Sequence, residues 1–271
     1  FLMNPAGFLF GPNATVNVGG MVGFTSADYL KLTDNARFNA IPNAAADALL
    51  TASPVVSFGF LGSNPGAITV QGSQFTVTEG TGISLVGGNI TVQSGTLENG
   101  AVQPAHLSAP GGQINLASVT SPGEVLASNF LPNPGTAMGT INLSQGSTLD
   151  VSSDAAGIVR IRGGQFVITD STISADTVNG DGAPTSVDLN ITGNLQISDT
   201  RNSPAITART TGTGNAGDVR IAAANFKAIS TTDSPEPSSL IDTATSGAGR
   251  AGNVTINTGT LEASSVNQQF N

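Results

Sequence analysis

Asn215-Ala216-Gly217-Asp218-Val219-Arg220-Ile221 and Arg250-Ala251-Gly252-Asn253-Val254-Thr255-Ile256 are two copies of one pattern, a Gly-Asx step followed by an alternating aliphatic triplet. The triplet also stands upstream as Val159-Arg160-Ile161 and Val187-Asp188-Leu189, so it recurs at intervals of about 28 to 35 residues. Short strands at that period mean stacked units, each pairing with the unit before and after it. A second signal is an aliphatic residue, a few mostly polar or Gly residues, then Phe or Leu opening another run. It is found at Val70/Phe75, Val92/Leu97, Ile161/Phe166, Ile221/Phe226 and Ile256/Leu261, and in a shorter version at Ile191/Leu195. That spacing fits one tight corner between two strands. The expected fold is all-β, a β-solenoid running through 1–271 as one continuous unit. Small aliphatics stack inside, Gly and Asn turn the corners, and Thr, Ser and Gln face out.

The alternation also sets a register. Arg160, Asp188, Arg220 and Thr255 should occupy the outward-facing centre of equivalent strands, with Asp188 between the two arginines of neighbouring units. Opposite charges so placed stabilise modestly.

Composition narrows the function. With 38% hydrophobic and only 10% charged residues, the chain is neither disordered by charge nor patterned like a helical bundle. It has no Cys, which removes disulfides and thiolate metal sites and suits a chain that crosses an oxidising periplasm unfolded. The formal charge is −9, and no Lys or Arg lies between Arg37 and Arg160. A face without cations argues against nucleic acid or an anionic membrane as partner. No run of about 18 apolar residues occurs, so no transmembrane helix is expected. The sequence opens inside an apolar run, Phe1-Leu2-Met3, without a secretory leader, and reads as a fragment or a processed product.

At most one short helix is expected, at Asn43 to Leu50 behind Pro42. The segments Gly95 to Gly112 and Ser121 to Gly139 contain several prolines, break the strand pattern and read as protruding loops, where partner contacts concentrate.

Parallel β architectures also carry polysaccharide lyases and hydrolases, which use carboxylate pairs or a carboxylate beside a cation. Asp150, Asp154, Asp170, Asp176 and Asp181 are close in sequence, with Arg160 and Arg162 nearby. Their Asp-Gly and Asp-Ser settings are ordinary corner chemistry, so no catalytic residue is assigned and the chain is not read as an enzyme. Asp176 to Gly182 spaces oxygen ligands loosely like a calcium loop but lacks alternating acids and the terminal Glu. His106, the only histidine, lies in a Pro-flanked stretch and reads as a loop residue. Neither a metal nor a cofactor is expected.

Asn4-Pro5-Ala6-Gly7-Phe8-Leu9-Phe10-Gly11-Pro12-Asn13-Ala14, followed by Val16-Asn17-Val18-Gly19-Gly20, resembles the signature of the haemagglutinin-type two-partner secretion domain of the filamentous haemagglutinin family. A second block, Ser53-Pro54, Phe58-Gly59-Phe60-Leu61, Pro65-Gly66 and Val70-Gln71-Gly72, is similar to the segment that follows in such proteins. The resemblance implies a right-handed parallel β-helix, a secretion-domain-like part at 1–90 and β-helical repeats with loop insertions at 91–271. It implies a secreted protein, extracellular or on the surface of a Gram-negative bacterium, exported by an outer-membrane two-partner secretion transporter and serving as an adhesion scaffold toward an unidentified receptor. Asn4, Pro5, Gly7, Gly11, Pro12 and Asn13 fall on the secretion motif. They also suit plain turns, since Asn-Pro opens a turn and Gly allows positive φ, and both readings stand at this point. Ala6 departs from the Asn usual at its position. Alternative roles are a fibre subunit assembling end to end through open strand edges and, further off, a polysaccharide-active enzyme.

Overall fold

The computed structural model describes residues 1–42, 53–201, 203–232 and 239–267. Its described residues are all-β, and the strands sort into three parallel ladders. The first stacks Leu2–Met3, Val22–Thr25, Gly82–Gly87, Gln113–Ser118 and Ile158–Gly163. The second stacks Phe8–Phe10, Ile68–Gln71, Ile90–Gln93, Thr140–Ser144 and Gln165–Thr169. The third stacks Thr15–Val18, Gln74–Val77, His106–Ser108, Thr148–Asp150, Thr172–Ser174, Ile206–Thr207 and Ile241–Asp242. Each pass of the chain adds one strand to each ladder in turn. Toward the C-terminal end, Thr185–Asp199, Asp218–Thr232 and Val254–Asn267 run straight through a corner and join the first two ladders into one sheet.

Alternation explains the core. Ile114 and Leu116 of the first ladder, Ile141 and Leu143 of the second, and Leu107 and Leu149 of the third are all fully buried in one apolar cluster. Burial of such stacked aliphatics, together with the backbone ladders, holds a chain that has no disulfide.

The register follows the alternation. Val159, Val187, Val219 and Val254 align strand to strand, and Arg160, Asp188, Arg220 and Thr255 align beside them. The ion pairing differs from expectation. Asp188 pairs with Arg162, whose Nη2 lies 2.5 Å from its Oδ2. Arg160 instead donates to Gln113 Oε1 at 2.8 Å, and Arg220 sits 3.4 Å from Asp218. Arg162 wins because it is buried at 3% exposure, where an unpaired guanidinium is costly.

The corners also need correction. Leu189, not Ile191, aligns with Ile161 and Ile221, while Leu195 aligns with Phe166 and Phe226. That unit carries an extra residue, absorbed as a register shift between Ile191 and Asn194. Val92/Leu97 is no corner of the same kind, because Leu107 is the residue paired with Phe75. An antiparallel hairpin, Gly95–Thr96 with Val102–Gln103, is inserted there.

Neither proposed loop is simply a loop. Gly95 to Gly112 holds that hairpin and then a third-ladder strand, so His106 is a half-buried strand residue whose N–H donates to Ser73 O at 3.0 Å. Ser121 to Gly139 contributes Gly123–Leu126 to a separate antiparallel layer with Tyr29–Leu32, Arg37–Asn39 and Val55–Phe60. This layer packs on the outer side of the first ladder: Val86 and Ala117 share a second buried cluster with Leu30, Phe58, Phe60, Val125 and Phe130. Gly82–Gly87 is therefore buried on both faces. The expected helix at Asn43 to Leu50 lies outside the described residues.

Candidate functional site

Two tight turns flank the first strand of the second ladder and hold all six motif residues. In the first, Gly7 N–H donates to Asn4 O at 2.9 Å and Ala6 N–H to Asn4 Oδ1 at 3.1 Å. Asn at the first position, Pro at the second and Gly at the fourth is the residue preference of a type I turn. The turn is tied to later passes, since Asn4 N–H donates to Thr25 O at 3.0 Å and Gly66 N–H to Pro5 O at 3.2 Å. Gly7 has φ of 95°, and a Cβ there would lie 2.1 Å from Ala67 O. No other residue fits without moving backbone. Ala6 is exposed, so the turn places no demand on its side chain.

In the second turn, Ala14 N–H donates to Gly11 O at 2.9 Å, with Pro12 and Asn13 between. Ser73 Oγ donates to Gly11 O at 2.8 Å, and Gln103 Nε2 reaches from the inserted hairpin to Pro12 O at 2.8 Å. Asn13 points to solvent. The strands these turns connect are the outermost of their ladders and pair on one side among the described residues. Leu2, Leu9 and Val18 on them are exposed at 53%, 73% and 38%. Beneath, Phe10 packs edge-on against Phe24 and Phe75 at centroid distances of 4.8 and 5.0 Å, closing the core.

The five acids do not converge. Asp154 accepts from Asn179 N at 3.2 Å, Asp170 from Thr200 N at 2.7 Å, and Asp181 from Asn215 N at 2.9 Å. Asp176 pairs with Arg209 at 2.9 Å, and Asp150 accepts from Ser152 N at 2.9 Å. Four of these contacts tie one pass to the next, so the carboxylates act as corner fasteners. Among the described residues no group of three or more His, Asp or Glu is placed to hold a metal ion.

The sequence reading missed the groups that fasten the antiparallel layer. Glu124 accepts from Tyr29 Oη at 2.8 Å and Ser57 Oγ at 2.9 Å, with Lys31 Nζ 3.6 Å away. Burial acts to raise its pKa, but these hydrogen bonds and the lysine charge outweigh it and the net shift is downward. Tyr29 is pushed up to about 12, by burial first and then by Glu124. Arg37 lies over its ring, 3.9 Å from the centroid. Arg162 closes the other end, donating to Asn129 O at 3.2 Å. Only the apolar Ile83-Ser84-Leu85-Val86 hints that the first ladder is covered outside as well as inside.

Compared with known proteins, residues 1–168 match the family model of the TPS secretion domain, the haemagglutinin-type domain of two-partner secretion. No curated protein and no solved structure matches. The family is one of secreted exoproteins of Gram-negative bacteria that cross an outer-membrane transporter, and it is not an enzyme family. The matched segment contains both turns, the antiparallel layer and Arg162, and on it the chain belongs to the TPS secretion domain family.

Proposed function

We propose that the three ladders form a right-handed parallel β-helix that serves as an adhesion scaffold at the cell surface after two-partner export. Parallel strands joined through a shared sheet are right-handed in nearly all proteins, which supports the hand. A rigid stack with polar outer faces presents contact surface without moving parts, which supports the scaffold role. Asn4, Pro5, Gly7, Gly11, Pro12 and Asn13 are the residues read by the transporter while the chain is extended; after export they close the two turns. The observation that carries this reading is the family match over residues 1–168, which begins on those turns.

Co-expression with the cognate transporter tests it. Asn4→Ala removes one side-chain hydrogen bond at an exposed turn, a folding cost of about 1 kcal/mol, so a large fall in surface yield reports recognition and not collapse. Unchanged yield leaves Asn4 as a turn residue only.

A further inference from the structure

The outer side of the second ladder differs from the rest of the surface. The antiparallel layer lies over the first ladder and, among the described residues, leaves this side uncovered. Outward residues form rows that cross the strands in register, one of them through Thr69, Thr91, Asn142, Val167, Gln196 and Lys227. A neighbouring row passes through Asn194, Asn225 and Thr260. Neighbouring positions within a row are about 4.8 Å apart. Toward the C-terminal end the two rows wall a recess of ≈ 250 Å³, floored by the strand backbone at Leu195 and Phe226, whose side chains turn into the core, and bordered by Gln165, Gln196, Lys227 and Glu262.

Its polar groups divide into used and free. Asn225 Nδ2 donates to Asn194 Oδ1 at 2.9 Å, Thr260 Oγ1 donates to Asn225 Oδ1 at 2.6 Å, and Lys227 pairs with Glu262 at 2.9 Å. Gln165 and Gln196 make no side-chain hydrogen bond with any described residue, although both line the recess. Each free amide presents a donor beside an acceptor, the complement of two neighbouring hydroxyls on a sugar ring. The single cation is neutralised by its own glutamate, so nothing here favours a sulfated or uronic polymer.

We propose that this recess is a binding subsite for a neutral glycan, with Gln165 and Gln196 bridging its hydroxyls and the sugar chain crossing the strands. The proposal names a ligand class for the adhesion scaffold and rests on that reading for its biological setting only.

The test uses the purified chain without transporter. Maltohexaose, cellohexaose and mannohexaose, with a heparin hexasaccharide as the charged comparison, are titrated by calorimetry and by saturation-transfer NMR. At least one neutral hexasaccharide is expected to bind, about tenfold more weakly to Gln165→Ala/Gln196→Ala and with unchanged affinity to Thr91→Ala/Asn142→Ala, which alters the same ladder away from the recess. Thermal melts of both variants should coincide with the parent, since the replaced side chains lie in the outward rows and make no side-chain hydrogen bond with a described residue. Binding of none of the three neutral sugars, equal binding by the glutamine variant, or binding of heparin alone overturns the proposal. A chain that binds a neutral sugar through these glutamines yet confers no cell attachment supports the subsite and sinks the adhesion reading instead.

Discussion

Replacing Arg162 by alanine removes a guanidinium that is 3% exposed and donates to Asn129 O (3.2 Å), Ile161 O (3.2 Å), Asp188 O (2.8 Å) and Asp188 Oδ2 (2.5 Å). Breaking a fully buried ion pair costs about 3–5 kcal/mol, and an exposed pair about 0–1. Asp188 is 32% exposed and regains water when its partner leaves, so the loss falls between, at about 2–3 kcal/mol. The damage should be local. Beside Asn129, Phe130 sits at φ of 60° with its ring in the layer's core, a backbone conformation disfavoured by ~1–2 kcal/mol for an L-residue. Once Arg162 no longer grips the neighbouring carbonyl, that turn relaxes first. Urea denaturation measures the total, and hydrogen exchange by mass spectrometry locates it, with the largest loss of protection expected in residues 121–139. Arg162→Lys should be intermediate, because an ammonium keeps the charge but cannot span four acceptors. A total loss under about 0.5 kcal/mol, or protection lost mainly in residues 185–199, would refute the assignment of Arg162 as the clamp of the layer.

The remaining expectations concern the first turn and the layer's titrating pair. Gly7→Ala should lower stability by about 2–3 kcal/mol, read as a fall in melting temperature, because its φ of 95° is strained for alanine and its Cβ would meet Ala67 O; a melt unchanged within error contradicts the geometry. Tyr29 is the only tyrosine, so phenolate absorbance reports it alone: the folded chain should titrate at about 12, the chain in denaturant near ~10, and stability should fall as pH rises across that interval. Glu124 has its folded pKa lowered, so its contribution is present above the unfolded value of ~4.3 and is lost as pH falls through the folded value; the stability gap between the parent and Glu124→Gln should close in acid, and a gap independent of pH argues against the carboxylate as the fastener.

The ladders were legible because alternation has a period of two and the Gly-Asx step marks the same corner in successive passes, as Asn215 to Ile221 and Arg250 to Ile256 show. The corners were less so. One sequence does not distinguish a short corner from an inserted hairpin, which is how Leu97 took the place that belongs to Leu107. Nor does it reveal a bulge, so Ile191 stood in for Leu189. The partner of Asp188 was misplaced by two residues because Arg160 and Arg162 both lie on the outward side of one strand, and only the layer above decides which is buried. The first turn was readable from Asn4, Pro5 and Gly7, whereas the reason Ala6 is acceptable lies in its exposure.

The antiparallel layer was illegible for a reason that also explains its importance. Ladder contacts join each pass to the previous one, but Tyr29 and Glu124 are 95 residues apart and Ser57 and Glu124 are 67 apart. No local periodicity announces such a pairing, and its closure has to wait until Gly123–Leu126 is in place. Every strand of the layer, the Tyr29–Glu124 fastener and the Arg162 clamp fall within residues 1–168, the segment that matches the secretion domain. Beyond it, Thr185–Asp199, Asp218–Thr232 and Val254–Asn267 pair with one another in ladders that carry no such cover among the described residues. The repeats are the part a stack of this kind can extend with little constraint on sequence; the covered first ladder, fastened by long-range polar contacts, is what distinguishes the matched domain from the repeats that follow it.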